Sequence, residues 1–322
     1  MIGRRSMRMG VTVAACGAAL ASASCGGSDD DPAVARPAAN PATDKLAQIA
    51  ARGTLVLSTD PLYPPQSFAV KGSKRAASTK CAENQLTASQ ISGYDADTGK
   101  LVARRLGVEP CFVVPTWTQI TAGNWADRWD IAYGSGAINT DRMKHLWMTQ
   151  PYRVEPQRFF VRKGSPYRVP SDLDGKRIGV CSGCTVEFYL KGVLAIPGTE
   201  LAKKVDAPRI VEFEVEPPGL KALSVGKLDG FLTAEAVGEE AIKQGRPLRA
   251  LDDVAFTMPL TGFVDKSSGL AVKPFIDRVD AIVSGLLSDG TMSKLSVKYF
   301  GKDYAAAAKG FDMGSIGQQV SQ

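Results

Sequence analysis

The stretch Arg177-Ile178-Gly179-Val180-Cys181-Ser182-Gly183-Cys184-Thr185, running on to Lys191, decides how the rest of the chain is read. Residues 177–180 form a short apolar strand, the next four are small turn formers, and 185–191 carry helical spacing. A strand that turns tightly into a helix is half of a parallel unit. The pattern recurs downstream, with strands at 210–213 and 230–232 and helices at 218–225 and 234–244. It also recurs upstream. Leu55-Val56-Leu57 is a buried strand, and it runs into Asp60-Pro61-Leu62-Tyr63-Pro64-Pro65, which the prolines make a loop. After a polar insertion at 71–90, the spacing of Leu101, Val102 and Leu106 predicts a helix from Thr98 closed by Gly107, and 111–114 is the next strand. A helix at 117–123, a strand at 131–133, a small-residue loop at 134–139 and a helix at 140–147 capped by Thr140 follow. Phe159-Phe160-Val161 then leaves the first group of elements, and 269–272 with helices at 274–287 and 291–300 returns to it. Alternating strands and helices imply an α/β fold with mostly parallel sheets.

With 322 residues, 44% of them hydrophobic, the chain has apolar material for two cores. Two passages between the halves make a hinge and place a ligand cleft where the strands' carboxyl ends converge. The expected division is a first lobe of residues 45–156 and 260–322 and a second lobe of 157–259.

The N-terminus reads as an export signal over residues 1–24: basic Arg4, Arg5 and Arg8, an apolar run at 10–23, then small residues up to Cys25. Gly26, Gly27, Ser28 and Asp29 to Asp31 switch abruptly to a polar tether, expected over 25–44, as where a lipid-modified cysteine leaves a membrane surface. Plain secretion is the alternative. The formal net charge of +6 loses three units with that signal, and the remaining bases are interleaved with acids, so nucleic-acid binding is not expected. In an oxidising compartment Cys81, Cys111, Cys181 and Cys184 are available for disulfides. A Cys81 and Cys111 pair would staple a loop to a strand. The Cys181-Ser182-Gly183-Cys184 spacing serves redox motifs, local disulfides and half of a zinc site alike.

Taken in order from Thr54 to Gly301, the chain resembles the family 3 extracellular solute-binding proteins, the receptors of polar amino-acid uptake systems. The resemblance is carried by Ser58-Thr59-Asp60 leading to Tyr63-Pro64-Pro65, by Gly93-Tyr94-Asp95-Ala96-Asp97, and by Trp117 with Trp129-Asp130-Ile131. Further pieces are the stretch from Gly134 to Arg142, Pro151-Tyr152, Ile178-Gly179-Val180 with Ser182-Gly183, Gly226-Lys227-Leu228-Asp229, Asp289-Gly290-Thr291 and Lys298-Tyr299-Phe300-Gly301. It implies a type II two-lobe periplasmic-binding-protein fold with two hinge crossings. It also implies an exported, lipid-anchored monomer on the periplasmic or outer face of a bacterial membrane, delivering a small carboxylate, amino-acid-like, to the permease of an ABC transporter. No cofactor or metal is expected.

The resemblance also assigns roles. Arg142 presents paired donors that match both oxygens of a carboxylate. Ser135 and Ala137, in the small-residue stretch before it, add backbone donors; a threonine is common at the Ala137 position. Tyr63 and Trp117 are placed as the rings that sandwich the ligand, and Cys184 and Thr185 as second-lobe donors to its acidic group. Many receptors carry an ammonium-neutralising carboxylate at the position of Ala234. Here Glu235 stands next to it, and Asp60 is the other candidate for that charge.

Two other classes compete. A dehydratase or lyase on a similar bilobal fold is one, but the single histidine, His145, expected in a helix beside Leu146 and Trp147, would have to carry triad or metal chemistry alone. The chain is therefore expected not to be an enzyme. A thiol-redox protein using Cys181 and Cys184 is the other; a fast-reacting thiolate would mark it.

Overall fold

The computed structural model describes residues 39–320. The export signal at 1–24, Cys25 and most of the tether lie outside the described residues. Asp44 caps helix α1 (Lys45–Arg52) by accepting the Ala47 N–H, and Gly53, at φ 72, ends it. The chain turns directly into β1 (Thr54–Ser58), buried along its whole length as a central parallel strand requires. The loop expected over 60–65 is corrected: Leu62 and Tyr63 form β2 (Leu62–Tyr63), antiparallel to β3 (Ser67–Ala69). Both residues keep their N–H groups, and the two prolines occupy the connecting turn, where none is needed.

Two short strands, β4 (Leu86–Thr87) and β5 (Ile91–Ser92), anchor the polar insertion; β4 joins the main sheet and β5 the small sheet β2-β3-β5. The disulfide Cys81–Cys111 fastens the same insertion to the main sheet. Helix α2 (Tyr94–Arg105) begins four residues before Thr98. Gly93 permits this: at φ 120, a Cβ there would meet the Gln66 carbonyl oxygen at 2.3 Å. Strand β6 (Glu109–Val113) leads to α3 (Trp117–Thr121), whose N-terminus is fixed by reciprocal bonds between Thr116 and Gln119.

The stretch after Tyr133 departs from expectation. Strand β7 (Ile131–Ala137) runs through the segment read as a loop, and the expected helix at 140–147 is a single 3-10 turn, Arg142–Lys144, followed by β8 (Leu146–Met148). Tertiary pairing overrides local preference: Ala137 and Gly136 pair with Leu260 and Thr261, and Trp147 with Val264. Small residues are needed there, since a Cβ on Gly136 would strike the Phe263 ring. His145 accordingly sits exposed beside a turn and not in a helix.

Strand β9 (Arg153–Arg162) crosses to the second lobe, which contains β10 (Arg177–Cys181), α4 (Thr185–Leu190), β11 (Arg209–Phe213), α5 (Glu216–Ser224), β12 (Gly230–Ala234) and α6 (Glu235–Lys243). The return is β13 (Leu248–Asp265), an 18-residue strand whose register shifts around Asp252-Asp253 and which pairs with both β9 and β7. Helices α7 (Lys273–Ser288) and α8 (Thr291–Phe300) then pack on the first lobe. The segment at 269–272 contributes only a bridge from Ala271 to Asp44.

Strand order is β11-β10-β12-β9-β13-β7-β1-β6-β4, with β8 on β13. Each lobe is thus a mostly parallel sheet, β6-β1-β7 in the first and β11-β10-β12 in the second, joined through the antiparallel pair β9 and β13. The C-terminal tail packs back on the body: Ala305, Ala308 and Ile316 are buried, and Gln318 exchanges hydrogen bonds with the Met148 backbone.

Candidate functional site

Residues just beyond the carboxyl ends of β1, β6, β10 and β11 face a common cleft, the place where a doubly wound sheet receives ligand. Its outer part is a cavity of about 250 Å³ bounded by Asp60, Leu62, Tyr63, Val114, Trp117 and Glu214 among others. Its inner part, of about 30 Å³, reaches Arg142, Gln157, Thr185, Thr233 and Ala234. Tyr63, Trp117, Cys181, Cys184 and Glu216 border both.

Arg142 is held by the turn after β7, where its N–H donates to Asn139 Oδ1 at 2.9 Å. The residue is only 2% exposed. Its Nη1 donates to the Ala137 carbonyl and to Thr185 Oγ1, each at 3.1 Å, and Nη2 donates to the Gly183 carbonyl at 3.2 Å. The guanidinium carbon lies 4.9 Å from the Trp117 ring centroid and 5.8 Å from that of Phe263. Burial pushes its pKa down to about 9, against a small opposing pull from Asp141. It therefore remains a cation at neutral pH, whose desolvation an anion placed beside it would offset. Trp117 Nε1–H donates to the same Gly183 carbonyl at 3.1 Å, so two first-lobe side chains reach the turn between β10 and α4.

That turn is closed by the disulfide Cys181–Cys184. Glu187 accepts the Gly183 N–H at 2.5 Å, which leaves the Gly183 carbonyl facing the first lobe. Both cysteines are thus oxidised and border the cleft as a wall, with no free thiol at this motif.

Ser135 borders the outer cavity, but its polar groups point inward to the hinge. Its hydroxyl donates to Asp95 Oδ2 at 2.6 Å and accepts from Arg153 at 2.7 Å, and its N–H donates to the Tyr152 hydroxyl at 3.2 Å. Arg153, fully buried, ion-pairs with Asp95 and, at 2.9 Å, with Glu155. This cluster ties the start of α2 to the first hinge strand. Ala137 is also withdrawn from the cleft, offering its carbonyl to Arg142. The backbone donors expected from the 134–139 segment are reduced because Gly136 and Ala137 lie in the ladder with β13.

Glu235 does not face the cleft. At the first turn of α6 it accepts from Arg158, from Lys302 at 2.6 Å and from the Tyr304 hydroxyl at 2.7 Å. Burial raises its pKa, but these bonds outweigh that and leave it below the usual carboxylate range. Asp60 does border the outer cavity; one oxygen accepts the Leu62 N–H at 2.8 Å, and burial raises its pKa. Tyr63 is also there, its hydroxyl pushed far above its ordinary value by burial and by the nearby Glu216.

The carboxylate that sequence reading missed is Glu216. It opens α5, is 5% exposed, and borders both parts of the cleft. One oxygen accepts from Thr233 Oγ1 at 3.0 Å, while the other has no partner among the described residues. Burial pushes its carboxyl up to about 8, with Asp60 adding to the effect. A signal was present: an acid directly ahead of Pro217-Pro218 marks the first turn of a helix, where proline is tolerated and acids gather. Gln157, at the hinge, was missed as well; its Nε2 is buried without a partner among the described residues.

Comparison with known proteins agrees with this architecture. The L-cystine-binding protein TcyJ of Escherichia coli (strain K12) is 23% identical over 260 residues, 80% of this chain and 86% of its own length. A probable histidine-binding protein of Neisseria gonorrhoeae is 26% identical over 310 residues, 94% of this chain and 100% of its own. Among solved structures, the ancestral amino acid-binding protein AncCDT-1, a precursor of cyclohexadienyl dehydratase, matches with a TM-score of 0.64 at 25% identity, over 80% of this chain and 100% of that one. A mutant of ArgBP from T. maritima matches with a TM-score of 0.65 at 21% identity, over the same shares, and supports the fold alone. The model of the bacterial extracellular solute-binding proteins, family 3, matches residues 55–302, and the chain belongs to that family.

Proposed function

We propose that this protein is the solute receptor of an ABC uptake system and captures an amino acid in the cleft between its lobes. The observation that carries the reading is Arg142: a buried guanidinium facing a small pocket that Gln157, Thr185, Glu216 and Thr233 also line. A guanidinium has five N–H donors. Three are engaged, and Nε has no partner among the described residues, so Nε–H and the second Nη2–H remain for the two oxygens of a carboxylate. Thr185 Oγ1 stands beside it as a further polar contact. Tyr63 and Trp117 cover the ligand, and the outer cavity, apolar at Leu62, Val114 and Ile120, takes its side chain.

In this reading residues 45–156 and 260–322 move against 157–259 about β9 and β13, and ligand favours the closed form. Support comes from the shared pairing of those two strands and from the reach of Arg142 and Trp117 to Gly183. The exported chain is a monomer tethered through a lipid on Cys25, and it docks on a membrane permease. It binds its ligand without converting it. The exposed position of His145, outside the cleft linings, favours this over catalysis.

A thermal-shift screen of amino acids and simple organic acids, followed by calorimetry, tests the proposal. Ligand binding only the native state raises the melting temperature. An α-carboxylate compound giving a clear rise, lost on methyl-esterification, supports it; no response to any carboxylate refutes it.

A further inference from the structure

We propose that Glu216, at the start of α5, is the carboxylate that receives the ligand's α-ammonium, a role left open by Ala234 at the end of β12. The inference rests on the reading of the cleft as an amino-acid site and adds the residue that makes it selective for the amino group. The carboxylate and ammonium of an amino acid hang on one carbon, so their counter-charges must face a single small space. Arg142 and Glu216 meet this requirement by bordering the same inner pocket, one supplied by each lobe. The other acids do not. Glu235 is engaged by Arg158, Lys302 and Tyr304, Glu214 is exposed, and Asp60 and Glu214 border the outer cavity only.

The local geometry prepares Glu216 for a cation. Thr233 fixes one oxygen by donating to it, and the second oxygen is buried and unpartnered among the described residues. Left so, that oxygen carries a desolvation penalty that an ammonium donor would remove. Gln157 and Tyr63, which border the same pocket, complete the enclosure. An alanine at position 234 leaves room for the ammonium to approach from the β12 side.

A proton is coupled to the capture. The groups around Glu216 are Asp60 and Tyr63 from the first lobe, Glu214 on its own segment, Arg142 across the pocket, and Glu240 and Arg246 on the far side of Pro217. With burial and Asp60 holding the carboxyl up at about 8, it carries a proton at pH 7 when the cleft is empty. The arriving ammonium ionises it, and the proton leaves to the buffer.

The test compares amino acids with their deaminated counterparts on full-length protein, wild type and Glu216→Gln. The pairs are L-arginine with 5-guanidinovalerate, L-histidine with 3-(imidazol-4-yl)propionate, and L-cystine with 3,3′-dithiodipropionate. The expected result is that wild type prefers at least one amino acid over its partner by about 30-fold, on the order of 2 kcal/mol. Glu216→Gln should lose that preference while still binding the deaminated acid, and should release no proton at pH 7 by calorimetry in buffers of different ionisation enthalpy. A Glu216→Gln protein that keeps the preference, or a wild type that never had it, overturns the inference and leaves the carboxylate site standing. If wild type binds none of the six, the amino acid giving the largest thermal shift and its deaminated acid take their place; a wild type that responds to no carboxylate overturns both. The glutamine retains the Thr233 bond and removes the titratable proton, and a circular-dichroism melt confirms the fold.

Discussion

Replacing Arg142 by lysine keeps the charge and removes the geometry. The guanidinium holds the Ala137 carbonyl, Thr185 and the Gly183 carbonyl, lies over Trp117, and keeps two N–H donors without a partner among the described residues. A lysine ammonium has three donors in all and no plane to lay on the indole, so it cannot keep those contacts and grip both carboxylate oxygens. One charge-assisted hydrogen bond contributes about 1.5–3 kcal/mol. The lost ring contact adds roughly 1 kcal/mol. Together they amount to about 3 kcal/mol, on the order of 100-fold in Kd. Titration calorimetry with whichever amino acid gives the largest thermal shift reads this directly. Folding stability should change far less, because a cation with a long apolar stem still fills the site. A Kd within about threefold of wild type for Arg142→Lys would refute the claim that paired donors set the affinity.

Further outcomes follow from the surroundings of the site. Arg153→Met leaves Asp95 and Glu155 buried without their cation and should destabilise by about 3–5 kcal/mol, seen as a fall in the urea midpoint; a midpoint unchanged from wild type counts against a role for the cluster in holding the hinge. Breaking Cys81–Cys111, which closes a loop with a sequence separation of 30, by Cys81→Ser and Cys111→Ser together should cost about 3–4 kcal/mol by chain entropy. Ligand-free protein should lose stability as pH rises. The Glu216 carboxyl is raised from 4.5 to about 8 and that of Asp280 from 3.8 to about 6 in the fold, so the native state holds protons that the unfolded chain gives up. Stability is therefore greatest below those unfolded values and declines as pH climbs through the folded ones, by on the order of 3 kcal/mol between pH 5.5 and 8.5. Urea titrations across that range check it, and Glu216→Gln should flatten most of the slope.

Strands with continuous apolar runs were legible in sequence because burial on both faces leaves its mark residue by residue: Leu55 to Leu57, Ile178 to Val180 and Phe159 to Val161 all lie where the pattern places them. The segment 134–148 was not. Gly134 to Ala137 lacks side chains that favour a strand, and Leu146 to Met148 follows a helix-like run, so both are strands only because β13 pairs with them. That long strand was itself unread, since Asp252-Asp253 and Pro259 interrupt any alternation. At the site, the family resemblance pointed to Tyr63, Trp117, Cys184 and Thr185, which border the cleft because turns after strands converge there. Glu235 and Glu216 show the limit. Which of two second-lobe acids turns inward depends on Lys302 and Tyr304, far along the chain, and on where α5 begins.

The most direct measurement is electron density for crystals of the full chain grown with the amino acid that gives the largest thermal shift. The account predicts a ligand between the lobes with its carboxylate about 2.7–2.9 Å from Arg142 Nε and Nη2 and in contact with Thr185. Density that places the carboxylate elsewhere, with the Arg142 edge still empty, would contradict it.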